Sequence, residues 1–231
     1  YPVTENYDPY KGNLGGKFPV VGDSPWEILG DASGVTMIGE DSFVGEHTPQ
    51  VAAGTGIRQN DLGVVAGKSY VGYVWLRAPK GKASVDVALV WGDGGNARQT
   101  VRIADVGAEY AKYPFEFQAK SDTDKASLEL RVNGAACLVG TVSLMPGDNV
   151  RGMRADTLAL LKQLNAPMYR WPGGNFVSGY NWRDGIGDRD RRPPRVNPAW
   201  TGVEHNDYGI DEFIDFCREV GTEPMIAANT G

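Results

Sequence analysis

The chain has 231 residues, of which 41% are hydrophobic and 23% are charged, and its 23 basic and 29 acidic side chains give a net charge of −6. This composition is typical of a globular protein with a buried core, and it excludes a collagen-like or a disordered chain. The negative net charge argues against a nucleic-acid partner, because proteins that bind nucleic acid carry a cluster of Lys and Arg side chains on one face. No apolar stretch approaches the roughly 20 residues that span a bilayer, so no membrane partner is expected.

Apolar residues alternate with period two in the first part of the chain. One run places four of them on the same strand face and ends in a Gly-Asp-Gly-Gly turn: Val85, Val87, Leu89 and Trp91. Further strands are predicted at residues 68–77, 99–103, 113–117, 127–132 and 137–144. Many short strands separated by turn signals are typical of an antiparallel β-sandwich, here jelly-roll-like. We place this domain at residues 31–146, after a connector at residues 1–30.

Residues 147–231 have a different pattern, with apolar residues at helical spacing. Leu158, Leu161 and Leu164 fall on one flank of a helix predicted over residues 151–165. The segment Asn165-Ala-Pro167 is expected to end this helix.

A strand, a second helix and another strand follow. The first strand is predicted at residues 168–171 and the second at 224–228. The helix between them has Asn206 or Asp207 as its N-cap and Gly221 as its C-cap. This βα alternation predicts a parallel sheet or barrel, so the whole fold is multidomain, β plus α/β.

A (β/α)8 TIM barrel needs about 250 residues of its own. Residues 147–231 therefore cover only part of one, about strands two and three, and further chain is needed to close it. That chain is expected on a second polypeptide, or else the sequence is a fragment of a longer one.

The segment after the strand at 168–171 carries the polar groups of interest. It begins Arg170-Trp-Pro-Gly-Gly-Asn175, at the end of a barrel strand where such enzymes assemble their sites. Its glycines allow the backbone to approach a ligand closely. Arg170 and Asn175 supply the donors and acceptor that grip vicinal hydroxyls. In the alternative interpretation, Arg170 pairs with a barrel carboxylate and Asn175 caps the turn.

Aromatic residues gather in the same region, and most of them are expected in the core. Trp200 is the exception, because it lies in a Pro-Ala-Trp-Thr-Gly loop that is hard to bury, and it is the predicted platform for a sugar ring. The arginines and aspartates between residues 183 and 195 predict a salt-bridged loop.

Neither metal nor cofactor chemistry is indicated. His47 and His205 have no partner at a metal-ligand spacing, and Cys137 and Cys217 are predicted to be unpaired core thiols. Residues 204–207 form either a polar network near the site or a helix cap.

Several motifs together resemble the α-L-arabinofuranosidases of glycoside hydrolase family 51. They are the Arg-aromatic-Pro-Gly-Gly-Asn-Phe core, the Tyr-x-Trp-x-Asp-Gly-x-Gly continuation, the Asn-x-x-Gly-x-x-Glu-Phe helix start and the strand that follows Glu223. The resemblance covers residues 150–231 closely. The preceding strands resemble a carbohydrate-binding sandwich that some members insert after their first barrel strand.

The resemblance implies a site for an arabinofuranosyl unit. Arg170 and Asn175 would hold the sugar in the −1 subsite, with the Gly174 backbone beside it, and Trp200 would flank the leaving-group side. The family's acid/base and nucleophile glutamates belong to later strands, so no catalytic residue is assigned in this chain, which alone is expected to be inactive. Three carboxylates are given structural roles instead: Asp184, Glu204 and Glu212.

The implied activity is retaining hydrolysis of terminal α-L-arabinofuranosyl residues from arabinan or arabinoxylan. Two alternatives stay open: a carbohydrate-binding module with Trp75 or Trp91 as stacking residue, and a β-1,4-endoglucanase of the same family. Polymeric plant-wall substrates favour a secreted or periplasmic location.

Overall fold

The computed structural model describes residues 25–197, 199–200 and 203–230. These residues form two compact units, one containing residues 25–43 and 47–149 and the other containing residues 44–46 and 150–230. Most of the predicted connector, residues 1–24, lies outside the described residues. The described chain is mostly antiparallel β-sheet with few helices.

The first unit is a β-sandwich of two antiparallel five-stranded sheets. One sheet has the order β1-β4-β9-β6-β7 and the other β2-β3-β10-β5-β8. The strands are β1 (Trp26–Leu29), β2 (Val35–Ile38), β3 (Thr48–Val51), β4 (Gly56–Val64), β5 (Ser69–Arg77), β6 (Ala83–Val90), β7 (Arg98–Val106), β8 (Ala111–Gln118), β9 (Thr123–Gly134) and β10 (Cys137–Pro146). The six predicted strands correspond to β5 through β10, so period-two alternation identified each of them.

The core of this unit lies between the two sheets. The inward residues of β6 are fully buried, and Trp91 at its end is 6% exposed, as their shared face predicts. Cys137 is also buried there as a free thiol. The period-two spacing of these residues thus predicted both the strand and the face that packs between the sheets.

The start of the sandwich differs from the predicted boundary at residue 31. Strand β1 lies before that boundary and pairs antiparallel with β4, with Trp26 opposite Gln59. Strand β4 escaped prediction because its sequence is polar and its pairing with β9 is interrupted by bulges around Leu62. Its place in the sheet is set by its two neighbours rather than by its own pattern.

The second unit contains α1 (Ala155–Leu164), β11 (Met168–Trp171), α2 (Phe176–Gly179), β12 (Arg195–Val196), β13 (Val203–Glu204), α3 (Ile210–Val220) and β14 (Glu223–Ile226). Strands β11 and β14 pair in parallel, with Met168 opposite Glu223. Both long helices and both parallel strands therefore occur close to their predicted positions. A complete TIM barrel stays a prediction, since the described residues supply one parallel pair.

Two details of the helices differ from expectation. Helix α1 buries Leu158, but Leu164 is 67% exposed, so the three leucines do not share one buried flank. Helix α3 starts after Gly209, whose N–H donates to the Glu212 carboxylate at 2.7 Å. Neither Asn206 nor Asp207 is therefore the N-cap, and the Asn206 side chain bonds to the Pro193 carbonyl instead. The C-cap is Gly221, as predicted, in the left-handed region at φ 80°.

No helix within the described residues is both long enough and apolar enough to cross a membrane.

Candidate functional site

The site is built on the turn that follows β11. The parallel pairing continues to the end of this strand, where the Ala227 N–H donates to the Trp171 carbonyl at 3.0 Å. The Trp171–Pro172 peptide bond is cis, and Pro172 is buried. Arg170 is exposed and its guanidinium lies over the turn, since a Cβ atom placed on Gly173 would be 3.4 Å from Nη2 of Arg170.

Gly174 brings the same turn close to Trp200. Its φ of +63° lies in the left-handed region that side chains with a Cβ rarely adopt. A Cβ atom on Gly174 would lie 3.9 Å from Cζ2 of Trp200. Trp200 is 59% exposed, as its loop predicts. The two glycines thus separate a guanidinium on one side from an exposed indole on the other.

Arg170 and Asn175 do not make the contacts of the alternative interpretation. Within the described ranges, Arg170 has no carboxylate partner. Asn175 precedes α2, but its side chain forms no capping hydrogen bond to that turn. Both side chains are exposed. Neither of the two local contacts of the alternative interpretation is therefore present in the described part of the chain.

Aromatic rings around the turn pack against one another. The Trp171 ring contacts Tyr180 edge to face at 5.6 Å between centroids and packs against Phe213 at 6.0 Å. Phe176 stacks on Tyr180 at 4.7 Å. Burial raises the pKa of Tyr180 to about 12, so its hydroxyl stays protonated at neutral pH. Tyr180 and Phe213 are buried, as expected, whereas Trp171 and Phe176 are only partly buried.

Two carboxylates near the site are paired with arginines. Glu212 receives two hydrogen bonds from Arg192 at 2.7 and 3.0 Å. Asp184 pairs with Arg195 at 2.9 Å. Although burial acts to raise the pKa of Glu212, the hydrogen bonds from Arg192 and Gly209 hold it below its ordinary value.

Only some of the ion pairs of the arginine-rich loop have both partners within the loop. Asp184 and Arg195 belong to the loop, as predicted, but Arg192 pairs with Glu212 of helix α3. Arg192 also donates to the backbone carbonyls of Gly187 and Asn206, each at 3.0 Å. It therefore joins the loop to the helix.

Residues 204–207 form a polar network rather than a helix cap. Asn206 is 1% exposed and donates through Nδ2 to the Pro193 carbonyl at 2.7 Å. Its own N–H donates to the Glu204 carboxylate at 3.0 Å. Glu204 is thereby committed to the backbone of its own loop.

Asn197 is a residue that sequence reasoning missed. Its Oδ1 accepts the backbone N–H of Ala199 at 3.0 Å and that of Trp200 at 2.7 Å. An Asn followed by Pro, small and aromatic residues is a signal for such an Asx turn, in which the side chain bonds to backbone two and three residues on.

The described residues contain no group of three or more His, Cys, Asp or Glu side chains placed to hold a metal ion. Burial raises the pKa of the Cys137 thiol to about 12 and also raises that of Cys217. Both thiols are buried and unpaired, in agreement with the prediction.

The two tryptophans proposed as stacking residues of the sandwich differ. Trp91 is buried in the core and presents no face for a sugar. Trp75 is half-buried, and its ring lies 5.2 Å from that of Phe43 and 5.7 Å from Nζ of Lys112. Only Trp75 therefore remains a candidate for the module alternative.

Comparison with known proteins finds similarity concentrated in the second unit. Residues 160–231 match the model of the alpha-L-arabinofuranosidase 1 domain. Alpha-L-arabinofuranosidase C of Emericella nidulans is 48% identical over 86 residues, which are 37% of this chain and 17% of that protein. The intracellular exo-alpha-(1->5)-L-arabinofuranosidase of Halalkalibacterium halodurans is 45% identical over 86 residues, with the same two coverages. The chain thus spans a small part of the relatives that it matches.

A solved structure extends the likeness to the rest of the fold. The arabinose-bound MgGH51 a-L-arabinofuranosidase matches with a TM-score of 0.75 at 20% identity, covering 90% of this chain and 38% of that one. At this identity the match supports the fold alone.

Proposed function

We propose, from the match of residues 160–231 to the model of the alpha-L-arabinofuranosidase 1 domain, that the chain supplies part of the sugar-binding site of a retaining glycoside hydrolase. In this proposal Arg170 and Asn175 hydrogen-bond an arabinofuranosyl unit in the −1 subsite. The backbone of Gly174 lies beside the sugar, and Trp200 flanks the leaving group. The observation that carries the proposal is the Gly173–Gly174 turn between Arg170 and Trp200.

The chemistry of these groups suits a sugar. The Arg170 guanidinium offers a planar fork of donors that matches two neighbouring hydroxyl oxygens. The exposed indole of Trp200 offers an apolar face on which C–H groups of a ring can pack. Glycine at both turn positions leaves room for a ligand between these groups.

The catalytic carboxylates of this proposal come from chain outside these 231 residues. A retaining hydrolase needs two carboxyl groups about 5–5.5 Å apart, one as acid/base and one as nucleophile. In the described part of the chain, Asp184, Glu204 and Glu212 already accept hydrogen bonds from protein groups. Their engagement supports structural roles.

Further barrel strands, on a second polypeptide, complete the site in this proposal. Strands β11 and β14 expose three large apolar side chains: Met168, Met225 and Ile226. Parallel sheets are normally covered on both faces, so these side chains are expected to be buried by neighbouring elements. Mass spectrometry of the purified active enzyme tests this: two polypeptides are expected, and a single continuous one would contradict it.

The substrate is proposed to be an arabinan or arabinoxylan bearing terminal α-L-arabinofuranosyl groups. Hydrolysis of an aryl α-L-arabinofuranoside by the complete enzyme is expected, with no activity from the 231-residue chain alone. Hydrolysis of a β-1,4-glucan without arabinofuranosidase activity would instead favour the endoglucanase alternative. An exported location stays a prediction, which fractionation of the producing cells tests.

Replacing Arg170 tests the site directly. Arg170→Ala removes charge-assisted hydrogen bonds worth about 1.5–3 kcal/mol, so kcat/KM for the aryl substrate is expected to fall by about 10- to 100-fold. Arg218→Ala is the matched control, because Arg218 is an exposed arginine on α3. An Arg170→Ala enzyme as active as the control would refute the assignment of Arg170.

A further inference from the structure

The loop that carries Trp200 is fixed at both of its ends. Strands β12 and β13 form an antiparallel pair with Arg195 opposite Glu204 and Val196 opposite Val203. The Arg195 guanidinium is held in turn by Asp184 at 2.9 Å. Asn197 and Trp200 therefore lie between the two strands of a short hairpin that is anchored to the turn after α2.

Asn197 is the first residue of this loop and controls the backbone of Trp200. One carboxamide oxygen accepts two successive donors, the N–H of Ala199 at 3.0 Å and that of Trp200 at 2.7 Å. Two bonds from one atom fix the orientation of the peptide planes that precede the indole. The ring itself, 59% exposed, extends with its Cζ2 edge toward Gly174.

We propose that Asn197 is the positioning residue that holds Trp200 at the leaving-group side of the sugar site. The inference rests on the proposed function and adds a residue and a role to it. Asn197 does not touch the sugar in this proposal. It sets the direction of the indole, so its loss weakens binding of the part of the substrate beyond the arabinofuranosyl unit being cleaved.

Substitutions at Asn197 in the complete enzyme separate these roles. Asn197→Ala removes the acceptor, and Asn197→Gln keeps the amide but moves its oxygen one methylene further out. Asn197→Asp keeps an oxygen in the same place. Asn96→Ala, at an exposed turn of the sandwich, is the matched control.

Two measurements on each variant are compared. The first is KM for α-1,5-linked arabinotriose, which extends past the cleaved unit. The second is the inhibition constant of free arabinose, which occupies the −1 subsite alone. Asn197→Ala and Asn197→Gln are expected to raise KM about five- to tenfold with kcat changed less than twofold. The arabinose inhibition constant is expected to change less than twofold, and Asn197→Asp to restore KM to within about twofold of wild type.

Trp200→Ala separates the failure of this inference from failure of the proposed function. Trp200→Ala is expected to raise the KM for arabinotriose at least as much as Asn197→Ala does. The double variant Asn197→Ala/Trp200→Ala is expected to have the same KM as Trp200→Ala alone, because both substitutions act through one indole. If Trp200→Ala raises KM but both Asn197 variants match the control, the inference is overturned and the sugar site stands. If Trp200→Ala has no effect, the platform role and the inference both fail. A parallel rise of KM and of the arabinose constant would show that Asn197 supports the fold in general, which also overturns the inference.

Discussion

Replacing Arg192 with alanine is expected to destabilise the unit that contains helix α3 by about 3 kcal/mol. The Arg192 side chain is 2% exposed and its partner Glu212 is 18% exposed. The substitution removes both hydrogen bonds to Glu212 and those to the carbonyls of Gly187 and Asn206. The arginine-rich loop would thereby lose its principal link to the helix.

The magnitude follows from the burial of the pair. Removing one member of a buried ion pair costs about 3–5 kcal/mol, because the other charge is left without compensation. The low end applies, since Glu212 keeps the Gly209 N–H at 2.7 Å and some access to solvent. At about 2–4 °C per kcal/mol for a domain of 150–250 residues, the unfolding midpoint falls by about 6–12 °C.

Thermal unfolding of the complete protein, followed by tryptophan fluorescence, measures this shift. Arg218→Ala is again the control, because Arg218 is 74% exposed and lies 3.5 Å from Asp215. A surface pair of this kind is worth less than about 0.5 kcal/mol, so little change is expected. Equal midpoints for the two variants would refute the claim that the Arg192–Glu212 pair stabilises the fold.

The pH dependence supplies a second check. The folded-state pKa of Glu212 lies below its ordinary value of 4.5. A lowered pKa means that the stabilisation is fully present above pH 4.5 and is lost as the pH falls through the folded-state value. The difference in midpoint between wild type and Arg192→Ala is therefore expected to be constant between pH 6 and 7 and to shrink below pH 4.5. A difference that grows in acid would contradict this assignment.

Two further variants or reactions test other parts of the structure. Gly174→Ala places a Cβ on a residue whose φ is +63°, and this Cβ points toward Trp200. We therefore expect the KM for arabinotriose to rise about fivefold or more. An unchanged KM would show that the turn tolerates a Cβ at this position. Cys137 and Cys217 are buried, and their thiol pKa values are raised. A thiol reagent is therefore expected to label them only after denaturation. Rapid labelling of the native protein would contradict their burial.

Strands were predictable where one face is buried and the other is not. In β6 the residues Val85, Val87 and Leu89 all enter the core, and the sequence alone identified the strand and this face, although Ala88 on the other face is buried as well. Strand β4 has mixed polar residues and a bulged pairing with β9, so its conformation depends on neighbours that are distant in sequence. The local hydrophobic pattern of a strand does not predict pairing with such distant neighbours.

The start of helix α3 shows the same limit at a single residue. Asn206 is a good N-cap type, but its amide donates to the Pro193 carbonyl 13 residues away. Gly209 takes the capping position instead, with its N–H bound by Glu212. Propensity identified a residue that bonds to backbone, whereas tertiary contacts decided which backbone group it bonds to.

Arg170 and Arg192 show why a site residue needs more than a motif. Both arginines lie in the stretch of chain that runs from β11 to α3. Arg192 is buried with Glu212, whereas Arg170 is exposed beside a glycine turn. The difference arises because α3 brings Glu212 to Arg192, and Asp184 is taken by Arg195. With those carboxylates occupied, neither of them is available to pair with the Arg170 guanidinium. The structural ion pairs of the loop are therefore consistent with an exposed Arg170, which the proposed contact with a neutral sugar requires.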